Sequence, residues 1–225
     1  MENKSCILVG GGYSINDGLT KGLWEKIQGK DIWSLNHAFR TLPYLPTRQV
    51  WVDIFFFNHS VILLEDMANK GVKMYAKRHQ RYAALPNITQ FWTSRNKTDY
   101  HGKEAFKHNL IYFGRMGLVG LFATSLAIAD GYNQIYWCGF DFGTRNMNDT
   151  KTHYYQEKIN VLSGGIGKPE IYLKPDNSVR EEVEDFSVFL KEEDVKIYNV
   201  SINSNIPYYE KIDWETFFNK LNENS

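Results

Sequence analysis

Residues 114–140, GRMGLVGLFATSLAIADGYNQIYWCGF, constrain the fold more than any other stretch. They join the longest apolar segment, 114–131, to a strongly apolar strand, 134–140, with almost no connection between them. The small residues Gly117, Gly120, Ala123, Ser125 and Ala127 suit a helix packed tightly in an interior. The rest of the chain repeats this alternation. Strands are predicted at 6–9, 31–36, 49–57, 72–77, 89–94 and 195–201, and helices at 14–27, 61–71, 181–193 and 213–223. Strands that alternate with helices form a parallel sheet covered on both faces. The run 49–57, QVWVDIFFF, reads as a central strand of that sheet.

The expected fold is therefore α/β, a mostly parallel sheet flanked by helices. One domain spans 1–225, with a polar, lid-like loop around 143–180, since loops of that length in compact domains are usually functional or mobile. Hydrophobic residues make up 43% of the 225 and aromatics 15%, enough for a large core. The formal net charge is zero, which argues against bulk nucleic-acid binding. Neither cysteine, Cys6 or Cys138, belongs to a disulfide or zinc pattern; both read as core residues. No run approaches the roughly 20 apolar residues that span a bilayer, and the N-terminus does not read as a signal peptide. A soluble, cytoplasmic protein is expected. Exposed tyrosines and tryptophans leave an oligomer open.

In such a sheet, ligands sit at the carboxyl ends of the strands. That rule selects Gly10, Gly11, Gly12 and Ser14 after the first strand, Asn36 after the second, Asp53 late in the third, and Asp141 after 134–140. The glycines and the following helix start suit a phosphate, and equally a bare tight turn. Ile15 stands where a dinucleotide signature has its third glycine. Asn36 stands where a nicotinamide site has an acid, and no Walker lysine follows the glycines. Asn36 suits a base edge or a sugar hydroxyl, and also a turn. Asp53 and Asp141 are candidate metal ligands, with Mg²⁺ the expected ion. Asp141 also suits a ribose, or the helix N-terminus of a neighbouring element. Within the polar loop, His153 is a candidate general acid or base, and Tyr154 and Tyr155 offer hydroxyls to phosphate oxygens. Arg115, opening the 114–131 helix, would draw in an anionic ligand. His37, His59 and His79 show no metal spacing and read as surface or loop residues. Lys77, Arg78 and Arg81 read as a solvated basic face.

Three motifs together carry a resemblance. ILVGGGYSI resembles the opening loop of the family 42 sialyltransferases and of the related 6-hydroxymethylpterin diphosphokinases, with their uncharacterised bacterial and phage members. SLNHAF, 34–39, resembles the segment whose asparagine lies against cytidine in the sialyltransferases. GLFATSLAIADGYNQIYWCGFDF, 120–142, is the most specific match, and YNVSINSNIPYYEKIDWETF fits the family's closing strand and helix. The resemblance implies a modified Rossmann-like fold and a bound nucleotide, CMP- or ATP-type, or a nucleotide-sugar. Gly12 and Ser14 would touch phosphate or ribose, Asn36 the nucleoside and Asp141 the ribose side. Tyr13 replaces the family's proline, Gly143 replaces its tyrosine, and the glycine-histidine-serine segment is not found. The expected function is a nucleotide-dependent transferase, moving a glycosyl or diphosphoryl group from a small-molecule donor to an unknown acceptor, with His153, Asp141 and Arg115 as catalytic candidates. The alternatives are a nucleotide-binding accessory protein without turnover, and a structural protein that reuses the fold.

Overall fold

The computed structural model describes residues 4–94, 110–112, 118–142, 153–157, 183–184, 186–188 and 194–223. Within them the chain forms a nine-stranded sheet. The strands are β1 (Ser5–Val9), β2 (Ile32–Leu35), β3 (Arg48–Trp51), β4 (Lys73–Lys77), β5 (Ile88–Ser94), β6 (Leu110–Tyr112), β7 (Gln134–Cys138), β8 (Lys196–Asn199) and β9 (Glu210–Lys211). Their order is β6-β5-β4-β3-β2-β1-β7-β8-β9, and every pairing is parallel. The parallel α/β sheet expected from the alternation, and the Rossmann-like architecture that the resemblance implies, are the ones observed. β6 and β9, short strands at the two edges, were not anticipated.

Alternation along the strands distributes their side chains to two faces. In β1, Cys6 and Leu8 enter a core cluster with Trp33, Trp137, Leu121 and Phe122, while Ile7 and Val9 enter another with Leu23, Tyr136 and Phe217. A third cluster joins Trp51 and Met74 to Phe56, Phe57 and Leu64. The helices are α1 (Ser14–Leu19), α2 (Leu23–Ile27), α3 (Ile54–Asn69), α4 (Val119–Ala129) and α5 (Trp214–Glu223). Every residue of α4 except Val119 is buried, as its small residues predicted. Asp213 accepts the Thr216 N–H at 2.8 Å at the start of α5, the cap read from the sequence. Cys6 and Cys138 are both buried free thiols.

Two elements differ from the sequence reading. The helix expected over 14–27 is two short helices, broken where Gly22 adopts φ 76°. The strand expected over 49–57 ends at Trp51, and Ile54, Phe55, Phe56 and Phe57 open α3 instead. Asp53 makes the switch. Its carboxylate accepts the Phe55 N–H at 2.7 Å and caps the helix. A continuous apolar run does not reveal its period, so the boundary was not legible. Of the lid-like loop 143–180, only 153–157 lie within the described residues, and Tyr154–Glu157 form a 3-10 turn. Of the predicted helix 181–193, the described residues 183–184 and 186–188 are helical.

Candidate functional site

Strand order locates the site. From β2 to β6 the chain walks outward on one side of β1, and β7 then returns to the other side. The crevice beyond the carboxyl ends of β1 and β7 is thus the topological switch point, where ligands bind in open α/β sheets. Gly10–Gly12 follow β1 and Gly139–Asp141 follow β7. The two turns are stitched together: Gly10 N–H donates to Cys138 O and Gly12 N–H to Gly139 O, both at 2.8 Å.

What occupies the glycine loop is the protein itself. The Ser14 N–H, the amide expected to face a phosphate, donates to Asp141 Oδ2 at 2.7 Å. A Cβ at Gly12 would lie 2.6 Å from that same oxygen. The other glycine contact is with the 153–155 segment. Tyr154 N–H donates to Gly11 O at 2.9 Å, and a Cβ at Gly11 would lie 2.2 Å from His153 Cδ2. Glycine is needed at both positions because other parts of the chain approach its backbone so closely. Asp141 thus takes the role of anion at the start of α1, one of the readings open to it from sequence.

The structure therefore gathers Gly10, Gly11, Gly12, Ser14, Asp141, His153, Tyr154 and Tyr155 at one edge, with Asn36 at the end of neighbouring β2. His153 stacks on Tyr155, ring centroids 5.0 Å apart. The Tyr154 hydroxyl is hydrogen-bonded to Thr41 Oγ1 and fully buried, so it is engaged within the protein. Burial pushes the Tyr154 and Tyr155 phenols up. Asn36 adopts φ 49° and Phe142 φ 48°, the left-handed region that non-glycine residues seldom enter. Such backbone concentrates at ligand clamps. Ser14 Oγ, Asn36 Oδ1 and Asp141 Oδ1 are buried with no hydrogen-bond partner among the described residues.

Asp53 stands apart. β3 is two strands from β1, about 10 Å at ordinary strand spacing, and the Asp141 carboxylate lies on the β1 loop. The Asp53 carboxylate accepts the Phe55 N–H and the Asp141 carboxylate accepts the Ser14 N–H, so each is engaged within the protein. Among the described residues, no group of three His, Cys, Asp or Glu side chains forms a metal-binding cluster. Arg115 lies outside the described residues.

Sequence reasoning missed His37. It is buried, not on the surface; its ring packs edge-on to Phe56 at 4.8 Å and to Tyr155 at 5.9 Å. Burial, with the positive charge of nearby Arg40, lowers its pKa to about 4, so the ring is neutral near pH 7. Its place directly after Asn36 was the available signal. Also missed were Asn199 and Ser204, which donate to Phe140 O at 3.2 and 2.8 Å, and Asn205, whose N–H donates to Asp141 O at 2.9 Å. These three hold the Asp141 turn from the β8 side.

No family model and no curated protein matches the chain. Among solved structures, the chain is similar to the sialyltransferase CstII from Campylobacter jejuni, determined in complex with a substrate analogue, cytidine-5′-monophosphate. Identity is 14% and the TM-score 0.50, over 92% of this chain and 84% of that one. Among the described residues, no helix is long and apolar enough to cross a membrane. At that identity the likeness concerns architecture, and the chain has a sialyltransferase-like, Rossmann-type α/β fold.

Proposed function

We propose that the chain is a nucleotide-dependent glycosyltransferase whose donor, a nucleotide-sugar, lies across the β1/β7 crevice. The observation that carries this reading is the set of unpartnered polar atoms at that edge, Ser14 Oγ, Asn36 Oδ1 and Asp141 Oδ1. Buried polar atoms are nearly always hydrogen-bonded, and a ligand's hydroxyls and amide would satisfy these three. Asn36 takes the nucleoside and Asp141 a ribose hydroxyl. Because Asp141 already receives the Ser14 N–H, the donor phosphate lies beyond that amide, toward His153. In the reaction, the acceptor hydroxyl forms a bond to the anomeric carbon as the bond from that carbon to the phosphate oxygen breaks. The nucleotide leaves with the electron pair, and His153 takes the acceptor's proton. The relationship to the solved sialyltransferase, which held cytidine-5′-monophosphate, favours a cytidine donor.

A second reading, a nucleotide-binding protein without turnover, draws on the packing of His153. Its ring stacks on Tyr155 and sits against Gly11, a structural role in its own right. His153→Ala separates the two: in the enzyme it abolishes transfer and leaves nucleotide binding intact.

The test is a thermal-shift panel with CMP, CTP, ATP, UDP and GTP, each with and without Mg²⁺. A ligand at about 100 times its dissociation constant adds roughly 2.7 kcal/mol, about 5–10 °C for a chain of this size. A shift with a cytidine nucleotide is expected. No shift with any nucleotide, from a sample that melts cooperatively, overturns the proposal.

A further inference from the structure

We propose that the cleft beyond the carboxyl end of β4 is a second binding site, for a small molecule that carries an oxyanion group, phosphate or carboxylate. It does not depend on what the β1/β7 crevice binds. β4 is three strands from β1, about 14 Å at ordinary strand spacing.

The cleft is a cavity of ≈ 650 Å³ between the segment that follows β4 and the first residues of β5, walled by Arg78, His79, Gln80, Thr89 and Gln90. That volume falls in the range of small-molecule sites. Among the described residues, no acidic side chain lines it.

The chemistry of the wall is one-sided. Gln90 Oε1 accepts the His79 N–H at 2.8 Å, which leaves the Gln90 amide NH₂ to donate. His79 Nδ1 accepts the Arg81 N–H at 3.2 Å, so the hydrogen of that ring is on Nε2. The acceptors of both residues are thus committed to the protein, and among the described residues their side-chain donors are not. Arg78 adds a permanent positive charge. Its guanidinium carbon lies 4.4 Å from the centre of the Trp92 ring, a cation–π contact that holds the face of the group and leaves its edge N–H groups to donate. Donors and a fixed cation without a facing carboxylate select an oxyanion, because charge-assisted hydrogen bonds are the strong ones. From sequence, Lys77, Arg78 and Arg81 read as a solvated face. The fold changes that for Arg78 by setting it on a cavity wall beside two oriented donors.

The experiment is a ¹H–¹⁵N NMR titration of the full chain with glucose 6-phosphate, glucuronate, inorganic phosphate and glucose. The phosphate and carboxylate arms identify which oxyanion is preferred. Saturable shifts confined to the amides of residues 78–83 and 88–90 are expected with a charged sugar and absent with glucose. Arg78→Gln weakens that binding about tenfold or more, the scale of one charge-assisted hydrogen bond. Gln90→Glu does the same by a different route: it keeps an acceptor for His79 and replaces the free donor with a negative oxygen. Arg78 is exposed, so its replacement leaves folding intact. Whatever response the wild type gives to CMP is unchanged in both variants, which separates this site from the crevice. Shifts equal with glucose, or shifts that survive both substitutions, overturn the proposal.

Discussion

Asp141 and Ser14, 127 residues apart in sequence, meet in one hydrogen bond of 2.7 Å between a carboxylate and the first amide of α1. The bond ties the loop after β7 to the loop after β1 at the sheet's switch point. It also sets the polarity of the crevice, because the helix start that a phosphate would use already faces an anion.

Asp141→Ala removes the acceptor and leaves that amide unpaired. The expected loss of stability is about 1.5–3 kcal/mol, the range for hydrogen bonds to charged groups. Asp141→Asn retains an oxygen for Ser14 and loses less. Urea unfolding of the two variants gives the comparison, and equal stability for wild type and Asp141→Ala would show that the bond contributes nothing.

Gly12→Ala places a methyl 2.6 Å from Asp141 Oδ2 and 2.7 Å from Gly139 O. The backbone oxygen cannot swing aside, so the loop must shift and the Ser14–Asp141 bond lengthens. Overpacking of this kind costs about 1–3 kcal/mol. Gly11→Ala instead meets the His153 and Tyr155 rings and displaces the 153–155 segment. Tyrosine fluorescence or hydrogen exchange at Tyr154 N–H, bonded to Gly11 O, distinguishes the two.

Asn36 separates backbone from side chain. Its φ of 49° is costly for most residues and free for glycine. Asn36→Gly is expected to unfold within about 1 kcal/mol of wild type, yet to bind nucleotide poorly, because the amide proposed to meet the nucleoside is gone. Asn36→Ala loses both stability and affinity. Retained nucleotide affinity in Asn36→Gly would remove Asn36 from the site.

His37 gives the protein an acid-sensitive component of stability. Its folded pKa of about 4 lies below the ordinary 6.5, so between those values the unfolded chain binds more protons than the folded one. Stability from this group is fully present above about pH 6.5 and is lost as pH falls toward 4, by at most about 3 kcal/mol. His37→Gln flattens the stability profile across that window. An unchanged slope in the variant between pH 4 and 6.5 would sink the assignment.

At the opposite end of the sheet, Arg48 bridges Asp31 at 2.7 Å and Asp130 at 2.8 Å, with its side chain 9% exposed. It also lies 4.6 Å from the centre of the Trp33 ring, and Asp31 in turn accepts from the Tyr132 and Thr47 hydroxyls. Arg48→Ala leaves two acids facing each other beside an apolar core, and a loss of about 3–5 kcal/mol is expected. Asp130→Asn costs less, because Arg48 keeps Asp31. Equilibrium unfolding in denaturant measures both.

The alternation of strands and helices was legible in the sequence because it rests on local patterning. The apolar run 114–140 gives α4 and β7 almost in place, and Asp213 marks the start of α5. The glycine loop, Asn36 and Asp141 were legible as edge residues for a related reason: a strand's carboxyl end is a position in sequence before it is a place in space. What they touch was not. Whether Gly12 faces a phosphate or Asp141 depends on the return of β7 beside β1. Asp53 reads as a strand-end acid until the tertiary fold turns Phe56 and Phe57 toward Trp51 and Tyr82, making it a helix cap. His37 reads as a loop residue until Phe56 and Tyr155 close over it. Local periodicity determined which elements form and which ends carry polar groups. Only long-range packing decided which of those groups pair with each other and which do not, because each such contact joins residues the chain brings together from distant segments.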